Sequence, residues 1–169
     1  MSTDPRPARR RVELPEFDAQ IARRFGMADD VASVILELGR LVLANERLRS
    51  GLYAELGLSS HELSALTYVG LQERATPKGL AASLSITTGS TTALIDRMVK
   101  ADLLTREPHP SDRRSVVLTL APQGRRAMKV VVQRYVGVAQ TALTELDGTL
   151  LPGITAMQIL SRALSSAEE

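Results

Sequence analysis

The stretch from Leu80 to Leu120, LAASLSITTGSTTALIDRMVKADLLTREPHPSDRRSVVLTL, constrains this chain more than any other. Leu80, Ala81 and Leu84 open a short apolar helix, the chain turns through Ser85 and Ile86, and helix restarts at Thr87 or Thr88, whose hydroxyls can cap free amides. From Thr88 onward, Thr91, Leu94, Ile95 and Met98 recur at helical spacing and form one apolar stripe. The opposite side carries Gly89, Thr92, Ala93, Arg97 and Lys100, so it is small, hydroxylated and basic at once. Small side chains permit close approach, hydroxyls and helix-terminal amides bond phosphate, and arginine reaches a base edge or phosphate with a fork of donors. A helix lying in a DNA groove needs these properties. The plainer alternative is a two-helix corner of a core with a polar exterior.

The residues that follow favour the first reading. Leu103–Glu107 and Ser115–Leu120 read as short strands, the second alternating Val116, Leu118 and Leu120 against Val117 and Thr119. Between them lies PHPSDRR, in which two prolines stiffen the tip and Asp112 stands beside Arg113 and Arg114. Helix, turn, helix and basic hairpin make a winged arrangement. One helix suits the major groove, and an arginine-tipped wing suits the negative potential of a narrow minor groove.

The runs STTALIDRMVKADLL and PSDRRSVVLTLAPQGRRA resemble the winged helix-turn-helix of MarR-type transcriptional regulators, with its "tvtrlvdrLekkGLv" helix and "D-x-R" wing. The resemblance extends in helix order from about Asp29 to Leu164 and is specific from about Leu80 to Gly124. It implies that Thr88, Ser90, Thr92 and Arg97 face DNA, that Asp112 orients Arg114 for the minor groove, and that Arg113 contacts a phosphate nearby. Lys78, Thr87, Gly89 and Ala93 complete the candidate DNA-binding set. Three positions depart from the family pattern. Ser85 and Asp102 replace glycines at turns that favour positive φ, and Ala121 stands where a threonine usually caps the next helix.

The flanks read as follows. Residues 1–27, with three prolines and the run Arg9, Arg10 and Arg11, are expected to be a flexible basic arm. Residues 28–58 hold a helix opened by Asp29 and Asp30 and apolar through Val31, Val34, Ile35, Leu38, Leu41, Val42 and Leu48. So broad an apolar face calls for more than one neighbour, one of them from a second chain in the dimer reading. Residues 59–121 are the winged region. Within it Ser59 and Glu62 read as a capping box, and Thr76-Pro77 opens the next helix. Residues 122–169 hold a long helix begun by Pro122, apolar through Met128, Val131, Val132, Tyr135, Val138, Ala142 and Leu146 and ended by Gly148. A last helix then starts at Pro152. The fold class expected is mostly α with a β-hairpin wing, flanked by N- and C-terminal dimerisation helices.

Composition limits the alternatives. With 3% aromatic residues and no tryptophan, a base-stacking platform for single strands or RNA is disfavoured. Net charge is only +2, but Arg97, Lys100, Arg106, Arg113, Arg114, Arg125 and Arg126 concentrate basicity in one segment, as phosphate binding requires. There is no cysteine, hence no disulfide, thiolate metal site or cysteine redox switch. His61 and His109 are too far apart in kind and place to suggest metal ligation, and neither a phosphate loop nor a nucleophile elbow is present. Neither catalysis nor a cofactor is expected. MSTDPRPARRR lacks an apolar signal core and no run spans a bilayer, so a cytoplasmic protein without membrane partners is expected.

The functional expectation is a homodimeric repressor on a pseudo-palindromic double-stranded operator, with half-sites about one helical turn apart. The family also implies a small aromatic or lipophilic effector that releases it, with Asn45, His61, Tyr68 and Tyr135 as candidate contacts. The alternative is a winged-helix adaptor for a ligand or protein, without specific operator binding.

Overall fold

The computed structural model describes residues 16–108, 115–146 and 151–166. The chain divides into two compact units, Met1–Ala54 and Glu55–Glu169.

In the first unit lie α1, Glu16–Phe25, and most of α2, Asp29–Leu56. The expected arm is therefore ordered helix over part of its length, while Arg9, Arg10 and Arg11 lie outside the described residues. Asp18 explains the difference. It is buried, and both its oxygens accept from the Arg40 guanidinium of α2, at 2.7 and 3.3 Å. Ala22 is buried one turn on. Among the described side chains a charged residue and an alanine are the buried ones, although Phe17, Ile21 and Phe25 recur at helical spacing along α1. Gly26 ends α1 at φ 65°, in the left-handed region where glycine has no steric penalty. On α2, Asp30 accepts from the Val31 amide at 2.9 Å, as a first-turn carboxylate should.

The second unit builds the winged region. Ser59 caps α3, Ser60–Leu71, and the capping box is complete: Ser59 Oγ accepts from the Glu62 amide while Glu62 Oε2 accepts from the Ser59 amide at 2.9 Å. Thr76 caps α4, Pro77–Leu84, and Thr87 caps α5, Thr88–Lys100. Strands β1, Leu104–Pro108, and β2, Val116–Leu120, pair antiparallel with Leu104 opposite Leu120. Helices α6, Pro122–Glu145, and α7, Leu151–Ser166, follow; Gly148 lies outside the described residues.

The core gathers Leu63, Leu66 and Val69 from α3, Leu80 from α4, Leu94, Ile95 and Met98 from α5, Leu104 and Leu118 from the hairpin, and Met128 and Val131 from α6. The expected alternation along β2 does not hold. Val117 and Leu118 are both buried and Val116 is exposed, because β2 lies against α3, α4 and α6 and has cover on both faces. Leu118 also donates its amide to the Ala75 carbonyl at 2.8 Å, a third-strand-like bridge that anchors the hairpin to the α3–α4 connection.

The three departures from the family pattern are resolved by geometry. Ser85 and Asp102 are the two non-glycine residues at positive φ among the described residues, at 52° and 56°. After α5, Asp102 N–H bonds the Val99 carbonyl and Leu103 N–H the Met98 carbonyl, a Schellman ending with buried Leu103 and Met98 as its apolar pair. Ala121, the N-cap of α6, supplies no side-chain bond. Asp102 does so in its place. Its Oδ2 accepts from the Gln123 amide at 3.2 Å and its carbonyl from Gly124 N–H at 3.3 Å. Gly124 is required here, since a Cβ would fall 1.9 Å from the Leu103 carbonyl oxygen.

Candidate nucleic-acid interface

Helix α5 sorts its residues into two sides. Thr91, Leu94, Ile95 and Met98 are buried as the spacing predicts, and Thr87, Thr88, Gly89, Ser90, Thr92, Ala93, Arg97 and Lys100 are exposed. The exposed hydroxyls are not equivalent. Thr87 uses its hydroxyl on the cap, accepting from Ser90 N–H at 3.2 Å and donating to Ser90 Oγ at 3.0 Å. Thr92 donates to the Thr88 carbonyl at 3.0 Å. A Cβ added at Gly89 would meet nothing within 4 Å, so the side around it is open. Lys78 is exposed on the first turn of α4.

The basic segment is more engaged than its composition suggests. Arg106 of β1 bonds Asp96 of α5 at 2.5 Å, bracing the wing strand against the helix. Arg125 donates to the Leu120 carbonyl at 2.6 Å, and Arg126 donates to Gln123. Arg97 Nε lies 4.0 Å from Glu62 Oε1, with the Arg97 side chain 60% exposed. The Glu62 carboxyl is held below its ordinary 4.5, first by the Ser59 amide and then by the Ser59 hydroxyl; burial opposes this and Arg97 adds to it. The sequence marks Glu62 as a cap and carries no signal that its second oxygen turns to α5. His109, Asp112, Arg113 and Arg114 lie outside the described residues.

The four candidate effector contacts fall on three elements. Asn45 is half-buried on α2 in the first unit, whereas His61 is exposed and Tyr68 half-buried on α3, and Tyr135 is exposed on α6. The Tyr68 hydroxyl packs so closely on α4 that a Cβ at Gly79 would overlap it, at 2.2 Å. An open cleft on α7, lined by Ile154, Met157, Gln158, Ser161 and Arg162, includes none of the four. Among the described residues no cluster of His, Cys, Asp and Glu fit to hold a metal occurs, and no helix is long and apolar enough to cross a membrane.

Residues 58–116 match the MarR family. The chain is 28% identical over 99 residues to the multiple antibiotic resistance protein MarR of Salmonella typhimurium, covering 56% of this chain and 69% of that protein. Among solved structures it resembles the S. aureus MepR–DNA complex, at TM-score 0.52 and 17% identity over 78% of this chain and 98% of that one. It also resembles CouR from Rhodococcus jostii, solved with p-coumaroyl-CoA, at TM-score 0.56 and 21% identity over 80% and 92%. The match begins at the residue before the Ser59 cap and ends on the first residue of β2, so it covers α3, α4, α5 and β1. Residues 58–116 are thus a MarR-family region, and members of that family are transcriptional regulators rather than enzymes.

Proposed function

We propose that this protein is a homodimeric, sequence-specific repressor that binds a pseudo-palindromic double-stranded operator and is released by a small aromatic or lipophilic effector. The observation that carries the reading is the division of α5: its apolar stripe is buried while Thr88, Gly89, Ser90, Thr92, Ala93 and Arg97 face outward together. A helix so arranged can enter a major groove with hydroxyls and a guanidinium foremost. Lys78 and the cap residue Thr87 flank that side, and the wing residues Asp112, Arg113 and Arg114 belong to the same proposal through their place in the chain. The fold's likeness to a regulator solved on DNA supports the reading, and its likeness to one solved with an aromatic acyl-CoA supports an effector.

Dimerisation is supported by apolar side chains that the single chain leaves uncovered on α2, on the second half of α6 and on α7. We assign residues 28–58 and 122–169 to that role, residues 59–121 to DNA, and the cytoplasm as the place of action. Asn45, His61, Tyr68 and Tyr135 remain our candidates for effector contact.

The test is footprinting of the purified protein on the DNA upstream of its own gene, followed by titration of that fragment and of random DNA over a salt series. Protection of a two-fold site with marked preference over random DNA is expected. Arg97→Ala and Arg114→Ala are each expected to weaken specific binding by about 1–3 kcal/mol. Equal affinity for both DNAs would point instead to an adaptor or a non-specific architectural protein.

A further inference from the structure

Glu62 stands at a junction that its capping role does not exhaust. One carboxylate oxygen, Oε2, accepts from both the amide and the hydroxyl of Ser59, at 2.9 and 2.7 Å. Two bonds to one oxygen lock the carboxylate plane, and the side chain is only 22% exposed. The other oxygen points across to α5, where it faces Arg97 Nε at 4.0 Å. Contact at Nε engages one edge of the guanidinium and leaves the end-on edge, made of one N–H from each terminal nitrogen, available on a side chain that is exposed.

We propose that Glu62 is a positioning residue for DNA binding, which holds the Arg97 guanidinium by its Nε side so that its terminal fork is presented outward before DNA arrives. The inference rests on the reading of Arg97 as a DNA contact. Free arginine loses rotamer freedom when it is fixed on a ligand, and a fixed carboxylate that has already restricted it reduces that cost. The first helix of the pair thereby prepares the second.

The experiment is a double-mutant cycle on the full chain, with the footprinted fragment as probe, reading specific affinity and melting temperature for Glu62→Gln, Arg97→Ala and the pair. Glutamine keeps the capping-box bond and loses only the added stability of the ionised carboxylate, so the melting temperature of Glu62→Gln should fall slightly, and equally with and without Arg97. Its specific affinity should fall about fivefold through lost preorganisation. In the Arg97→Ala background the same change should have no effect on affinity, because nothing is left to position. The sign makes the test sharp, for removal of a negative charge near a phosphate backbone would by simple electrostatics raise affinity. Unchanged or higher affinity in Glu62→Gln overturns the proposal, as does an equal loss with and without Arg97, which would mark a purely structural role. Failure of the parent chain to prefer any fragment would overturn the regulator reading itself, and this inference with it.

Discussion

The winged region and the long helices around it treat apolar side chains in opposite ways. From α3 to β2, and on into the first half of α6, most leucines and methionines are covered: Leu63, Leu66, Leu80 and Met98 are wholly buried, and Leu71 at the end of α3 is the exposed exception. The helix starts are capped by Ser59, Thr76, Thr87 and, for α6, Asp102. On α2, Val34, Ile35, Leu41 and Val42 are each about half exposed or more, and none of the described side chains of α7 is buried, with Leu151 72% exposed. Helix α6 changes character along its length, from buried Met128 and Val131 to exposed Val136 and Val138. A region with a closed core has settled its own stability, whereas helices with uncovered apolar faces need a partner. On our proposal, the contrast separates the part that reads DNA from the part that brings two readers together.

The largest effect is expected where that contrast is broken outright. Ile154→Glu with Met157→Glu should dissociate the dimer in sedimentation or light scattering, since burial of each such side chain contributes about 1.5–3 kcal/mol in each copy. A parent chain already monomeric at working concentration would remove the basis of the comparison. Leu66→Ala probes the other side. It should lower unfolding free energy by about 2–5 kcal/mol in urea titrations while leaving the mass unchanged.

Smaller effects sharpen the account of the winged region. Asp102→Ala loses the carboxylate that caps α6 and keeps a side chain at positive φ, so it should cost about 1–3 kcal/mol. Asp102→Gly relieves the φ and should cost less. The order of these two in denaturant melts is the check; the reverse order would deny the cost of a side chain at positive φ, and no loss in either would deny the cap. Ser59→Ala should cost about 1 kcal/mol. The pH dependence has a definite sign. Glu62 has a folded-state pKa below its ordinary 4.5, so its contribution is full above that value and is lost as pH falls through the folded pKa. Ser59→Ala should shrink this acid-side loss, as stability measured from neutral pH downward will reveal.

Much of the winged region was legible because its signals are local. The caps at Ser59, Thr76 and Thr87, the stripe of Thr91, Leu94, Ile95 and Met98, and the proline at the start of α6 each lie within a few residues of what they govern. Ser85 and Asp102 could be flagged as glycine-like turns because the family pattern has glycines there, and both have positive φ. The missing cap at Ala121 was visible too, but its replacement from Asp102 was not. The turn of α1 onto α2 through Asp18 and Arg40 escaped notice for the same reason, as did the double cover of β2 and the reach of Glu62 to Arg97.

Within the winged region residue order by itself determined where helices begin, which side of α5 is apolar, and that a hairpin follows it, since capping and periodicity act over one or two turns. Only the folded chain decided which charges pair across elements and which apolar faces stay bare. Those outcomes depend on what distant segments bring within a few ångströms, and spacing along the chain does not encode that distance.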